Sequence, residues 1–169
     1  MNPTQQVKLE KVTLNFGAGK DQARLDKGVA ILKSLTGINP VKTITEKRIP
    51  SWGVRPGLPI GAKITLRKQP AESLLKRLLA AKENKLRPSC FDDNGNVSFG
   101  IHEYIDIPDA KYDPVIGVLG LQVCVTLEKP GYRVKRRRLT PQRIGKRHLI
   151  TREQAQTFMK EKYGVEVAA

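Results

Sequence analysis

Gly19 and Lys20 stand just before the end of the stretch VTLNFGAGKD, residues 12–21, which runs from a strand-like segment through two glycines into a helix-like one. A phosphate-binding loop of the GxxxxGK[ST] kind places a glycine at its turn, a lysine on the terminal phosphates and a hydroxyl on magnesium. Aligned on that pattern, Leu14 stands where the first glycine belongs and Asp21 where the hydroxyl belongs. A carboxylate beside triphosphate oxygens repels them, and the loop is short of the amides that form an anion nest. Nucleotide chemistry is not expected here. Asp92, Asn94, Asn96 and Glu103 fall on the carboxylate and amide positions of a calcium loop, but Val97 stands where that loop needs its glycine and strand-like VSFGI follows. A hairpin turn at Asn94-Gly95 explains these residues better.

The other reactive side chains form no constellation either. His102 and His148, the only histidines, sit in no HExxH, nucleophile elbow or paired metal spacing. Asp106, Asp109 and Asp113 flank Pro108 and Pro114 and read as turn caps. Cys90 and Cys124 lack any CxxC partner, so neither disulfide nor zinc is expected and a reducing cytoplasm is the plain reading. No catalytic residue, metal site or cofactor follows from these patterns. Recognition by charge and hydrogen bonding remains.

The charge supports that direction. The 169 residues carry 31 Lys+Arg against 16 Asp+Glu, a formal +15, with a sequence pI near 10.1. Such a balance is the electrostatic footprint of a protein that lies on nucleic acid. A membrane partner is not expected, because no stretch resembles a signal peptide, a membrane span or a basic amphipathic helix. Residues 131–148, GYRVKRRRLTPQRIGKRH, hold eight basic residues and no acid: Arg133, Lys135, Arg136, Arg137, Arg138, Arg143, Lys146 and Arg147. This basic extended segment lacks apolar periodicity, so it is expected to take its shape from an anionic partner. The remainder of the chain stays net basic, which implies a second contact surface.

The elements that must position these groups alternate without internal repeat. Residues 7–15 and 119–127 read as strands, residues 41–45 and 60–67 as a strand pair, and residues 97–101 as a strand after the Asn94-Gly95 turn. Residues 21–36 form a helix with Leu25, Val29, Leu32 and Leu35 on one stripe and Gly37 as its stop. Pro70 opens a second helix with Leu74, Leu75, Leu78 and Leu79 on its apolar face. Thr151 and Gln154 make a capping box for the last, with Ala155, Phe158 and Met159 inward and Gly164 at its end. The expected fold is α+β: one domain, a largely antiparallel sheet with helices packed on one face. Its other face is then free for RNA, with Thr13, Thr43, Thr45, Lys63, Thr65 and Arg67 as hydroxyls and charges. Aromatic content of 5% argues against a single-strand stacking platform. Residues 46–59, EKRIPSWGVRPGLP, form a long projecting loop where a tight hairpin would have sufficed.

VTLNFGAG, LTGINPVKTITEKRI, GVRPGLPIGAKITLR, NVSFGIHEYIDIPDAKYDPVIGVLGLQV and PGYRVKRRR with KRHLIT, in that order, resemble the large-subunit ribosomal protein L-five family that binds 5S rRNA. The segment after Pro130 resembles the archaeal form. The chain departs from the family's usual residues at Lys20 and at Ile38-Asn39. The resemblance implies a structural protein without catalytic activity, in the central protuberance of the large subunit. It implies contacts to 5S rRNA from Asn15, Gly17, Asn39, Thr43, Thr45, Lys63, Thr65 and Arg67. It implies that the loop of residues 46–59 reaches P-site tRNA with Lys47, Arg48, Trp52 and Arg55, and that the basic segment meets large-subunit rRNA. Neighbouring central-protuberance proteins and the small-subunit head, across an intersubunit bridge, complete the implied partners. The competing expectations are an RNA-acting enzyme and a free-standing regulator that binds duplex RNA.

Overall fold

The computed structural model describes residues 2–167. Strand β1 (Lys8–Gly17) leads through a turn at Gly19 into helix α1 (Gln22–Thr36), then β2 (Val41–Ile44), β3 (Pro59–Arg67) and α2 (Lys68–Ala80). Short β4 (Lys85–Leu86), β5 (Asn96–Ile101), β6 (Leu121–Glu128) and a helical turn α3 (Arg133–Arg136) follow, then α4 (Arg152–Tyr163) and β7 (Glu166–Val167). The main sheet runs β2-β3-β1-β6-β5 with every neighbour antiparallel. The architecture is α+β, as composition and periodicity indicate.

Alternation drives one side of the sheet inward. Val12, Leu14 and Phe16 of β1, Ala62, Ile64 and Leu66 of β3, and Val123, Val125 and Leu127 of β6 are buried. They share one core with Leu25 and Leu32 of α1, Leu75 and Leu78 of α2, and Ala155 and Met159 of α4. Helix ends follow local chemistry. Asp21 caps α1 by accepting the Arg24 amide at 3.1 Å, and Gly37 ends it in the left-handed region at φ 71°. Thr151 and Gln154 form the capping box on α4, and Gly164 terminates it.

Three helix details differ from the sequence reading. In α1, Gly28 and Ile31 are buried while Val29 is only half-buried. A Cβ on Gly28 would lie 2.1 Å from Cδ1 of Phe16, so α1 meets β1 at a glycine and its inward stripe rotates towards that contact. Helix α2 begins at Lys68, ahead of Pro70, because a first-turn residue needs no intrahelical N–H partner. In α4, Phe158 is half-buried and packs edge-on against Tyr163, with ring centroids 6.1 Å apart. The parallel β4–β7 pair is too short to leave a periodic signal.

Candidate nucleic-acid interface

The residues that alternation turns away from the helices form an ordered polar face. Register pairs Thr65, Thr13, Cys124 and Ser98 in one row across β3, β1, β6 and β5. On one side of it run Val41, Lys63, Asn15, Gln122 and Gly100, then Thr43, Gly61 and Gly17; on the other run Arg67, Lys11, Thr126 and Asn96. Most side chains here are short and hydrogen-bonding, with Lys63, Arg67 and Lys11 on the β3 and β1 part of the rows and exposed Val41 at the β2 edge. The Thr13 and Thr65 hydroxyls lie 3.3 Å apart, and Asn15 Nδ2 donates to Gln122 Oε1 at 2.8 Å. A Cβ on Gly61 would stand 2.6 Å from the Phe16 carbonyl oxygen and 2.9 Å from Thr43 Oγ1, so a glycine keeps that corner low. Such a surface suits the shallow RNA minor groove, whose 2′-hydroxyls pair with short polar side chains.

A bulge in β1 shapes one end of the face. Register shifts between Leu9 and Lys11, which leaves Glu10 as the extra residue. Its side chain is only 9% exposed and accepts from Arg136 Nη1 at 2.7 Å, with Arg67 at 3.9 Å. Arg136 also pairs with Glu128. These contacts fold the basic segment back onto the sheet and correct the expectation that an external anion shapes it: Glu10 and Glu128 are anions supplied by the chain itself. The segment's ends are fastened too. Buried Lys129 donates to the Leu149 carbonyl at 3.1 Å, Tyr132 Oη donates to the His148 carbonyl, and His148 Nε2 lies 2.8 Å from the Pro130 carbonyl. Burial, with Glu128 adding, holds the Tyr132 phenol above its ordinary pKa against the lowering effect of a backbone hydrogen bond. Among the described residues Arg133, Lys135, Arg137, Arg138, Arg143, Lys146 and Arg147 make no ion pair, so the chain leaves their charge unneutralised.

The loop of residues 46–59 is held by its own backbone and lies beside the β1–α1 turn, where a Cβ on Gly53 would stand 3.5 Å from Cδ of Lys20. Ile49 and Val54 exchange two backbone hydrogen bonds at 3.0 and 3.1 Å, and Val54 is buried. Residues Pro50–Trp52 form the tip, where Trp52 is 69% exposed, and Lys47, Arg48 and Arg55 are exposed beside it. An exposed indole on a hydrogen-bonded scaffold, flanked by cations, can stack on a base or sit against a sugar while the cations meet phosphate.

The turn that resembles a phosphate loop spends its glycine-side amides within the fold. The amides of Ala18 and Gly19 both donate to the Ile60 carbonyl, at 2.9 and 3.1 Å, and the Asp21 carboxylate occupies the α1 N-terminus. Gly19 alone there has positive φ; Gly17 is still strand. The calcium pattern resolves likewise. Asp92 accepts from the Asn94 and Asn96 amides and from Asn96 Nδ2, and the strand β5 separates it from Glu103. No cluster of metal-ligating side chains occurs among the described residues, and no helix there is long and apolar enough to cross a membrane.

The structure gathers Asn15, Gly17, Thr43, Lys63, Thr65 and Arg67 on the open face. Thr45 is not presented there: after a register shift between Thr43 and Ile44 its hydroxyl is buried without a partner. Asn39 is exposed in the α1–β2 connection, outside the rows. Lys11, Gln122, Cys124, Thr126 and Ser98 belong to the face and are missed by the sequence reading. The alternation of LQVCVTLE, with Gln122, Cys124 and Thr126 out of phase with the apolar residues, was the available signal.

Comparison with known proteins gives matches along nearly the whole chain. Residues 2–55 match the family described as Ribosomal protein L5, and residues 59–161 match the model of that ribosomal family's C-terminus. Large ribosomal subunit protein uL5 of Nanoarchaeum equitans is 47% identical over 167 residues, 98% of each chain. That of Sulfurisphaera tokodaii is 46% identical over 168 residues, covering 99% of this chain and 95% of its own, and that of Pyrobaculum aerophilum is 44% identical over 166 residues, 98% and 93% respectively.

Proposed function

The chain belongs to the ribosomal protein L5 family, and from that premise we propose that it binds 5S rRNA across the open face of its sheet and anchors it in the central protuberance. As a large-subunit ribosomal protein it works in the cytoplasm among ribosomal RNA and proteins, in a family not known as enzymes. The observation that carries the finer reading is the set of rows through Thr65-Thr13, Lys63-Asn15 and Arg67-Lys11, which offers hydroxyls, amides and charge without a large apolar side chain at its centre. The whole chain acts as a single RNA-binding domain, because strands from both matched regions share one sheet. Lys63 and Arg67 meet backbone phosphates and fix the register of the RNA; Asn15 and Thr65 read the minor groove. Arg133, Lys135, Arg137, Arg138, Arg143, Lys146 and Arg147 contact further large-subunit rRNA. The Trp52 tip, with Lys47, Arg48 and Arg55, reaches P-site tRNA, while neighbouring central-protuberance proteins and the small-subunit head meet other surfaces.

Binding of purified protein to 5S rRNA across a salt series tests this. Each neutralised phosphate contributes roughly 0.7 to 0.9 to the log-log slope, so six contacts give about −4 to −5. A flat response, or equal affinity for an unrelated duplex at the same salt, refutes it. Co-sedimentation with large subunits at moderate salt separates the ribosomal role from that of a free-standing duplex-RNA regulator.

A further inference from the structure

We propose that the cleft between the Glu10 end of the open face and the folded-back basic segment receives one unpaired nucleotide of the bound RNA. This rests on the RNA-binding reading above and adds what one part of that surface selects. The cleft has a volume of about 860 Å³, within the roughly 300–1,000 Å³ typical of small-ligand sites. It continues directly from the last row of the face, since Lys11, Arg67, Thr126 and Asn96 form that row and also line the cleft.

Three kinds of lining group match the parts of a nucleotide. Lys11 and Arg67 on the sheet side and Lys135 and Arg143 on the segment side supply cations for a phosphate. Tyr132 and Ile144 supply flat and apolar surface for a base. Gln142 supplies an amide that both donates and accepts, as a base edge requires, and Asn96, one of whose amide hydrogens is held by Asp92, supplies its carbonyl oxygen. A cleft of this volume is on the scale of a small ligand and not of a duplex; a splayed base on its own sugar-phosphate is the part of an RNA that matches it. The cleft is also preformed. Arg136 ties one wall to Glu10 and Glu128, the Gln142 amide donates to the Val134 carbonyl at 3.1 Å, and Arg137 Nε donates to the Thr140 carbonyl at 2.7 Å. With the Arg136 charge answered by carboxylates, Lys11, Arg67, Lys135 and Arg143 are the cations left for the ligand.

The test uses the full chain and two hairpin RNAs with the same stem, one fully paired and one with a single bulged adenosine, followed by fluorescence anisotropy at one salt concentration. The bulged hairpin is expected to bind about tenfold more tightly, the scale of one base stacked on an aromatic side chain. Gln142→Ala and Tyr132→Leu should each remove most of that advantage with little effect on the paired hairpin, whereas Tyr132→Phe should retain it. If Tyr132→Leu loosens the segment, Gln142→Ala still decides, because its side chain is exposed. Equal affinity of the wild-type protein for both hairpins, or an advantage that survives Gln142→Ala and Tyr132→Leu, overturns the cleft while leaving sheet-face binding intact. Saturable binding of free AMP together with equal hairpin affinities would assign the cleft to a free nucleotide and overturn the RNA source. Failure to bind either hairpin while 5S rRNA is bound at the same salt overturns the cleft alone; failure to bind 5S rRNA as well overturns the RNA-binding reading itself, and the cleft with it.

Discussion

Replacing Arg136 by Gln should loosen the basic segment without unfolding the sheet. In the native chain its guanidinium joins Glu10 on the β1 bulge to Glu128 on β6. Glu10 is only 9% exposed and depends on this 2.7 Å contact, because its other cation, Arg67, stands 3.9 Å away. A hydrogen bond to a charged group contributes roughly 1.5 to 3 kcal/mol. Arg136 is 48% exposed, so water and salt screen it, and the lower end of that range, about 1.5 kcal/mol, is the expected loss. At this chain length that lowers Tm by roughly 3 to 6 °C. Glu10→Gln should cost a similar amount, and the double variant should cost about 1 kcal/mol less than the sum of the two, since both remove the same contact. Urea unfolding of the four proteins measures this cycle. Limited trypsin digestion gives a second readout: cleavage after Arg137 or Arg138 should quicken in Arg136→Gln, because the open state of the segment becomes more populated. Single effects that add to within about 0.3 kcal/mol, with an unchanged cleavage rate, would refute the carboxylate clamp.

Thr65→Val, alone or with Asn15→Ala, should weaken 5S rRNA binding by about 0.5 to 1.5 kcal/mol per lost neutral hydrogen bond while leaving the far-UV circular dichroism and Tm nearly unchanged, since both side chains lie on the open face. Trp52→Ala combined with Arg48→Ala and Arg55→Ala should spare 5S rRNA binding and lower P-site tRNA retention on ribosomes carrying the variant; these point changes keep buried Val54, which outright shortening of the loop would remove. Gly28→Ala should destabilise by about 1 to 3 kcal/mol in chemical unfolding, because the added methyl meets the Phe16 ring at 2.1 Å. Tyr163 has a buried hydroxyl without a partner, and burial, aided by Glu72, pushes its pKa up to about 12. The unfolded chain therefore loses this proton first, so stability falls as pH rises from about 10 towards 12. Tyr163→Phe should raise Tm at neutral pH and flatten that alkaline decline; an identical decline in both proteins would count against it.

Much of the fold was legible because its signals are local. Thr151, Gly37 and Gly164 act through backbone groups within four residues, so these ends could be read directly, whereas Asp21, expected as the first residue of α1, stands one position outside it as the cap. Leu74, Leu75, Leu78 and Leu79 declared the buried face of α2, and alternation in residues 7–15 and 60–67 separated core from open face. Net charge and the clustering of residues 131–148 indicated an anionic partner before any element was placed. What the chain did not announce depends on partners distant in sequence. The bulge at Glu10 exists only relative to β6, and the shift after Thr43 only relative to β3; one turned a carboxylate towards Arg136, the other took the Thr45 hydroxyl off the face. Gly28 is small because a ring from another element occupies its methyl position, which helical periodicity cannot reveal. The rows of the interface, and the cleft at their end, likewise arise when register sets side chains from five strands and one folded-back segment beside each other. Sequence determined which groups each element carries and, where alternation is unbroken, which of them share a side; tertiary structure decided which groups meet and where a bulge redirects them, because pairing across long loops is settled by packing and not by neighbours along the chain.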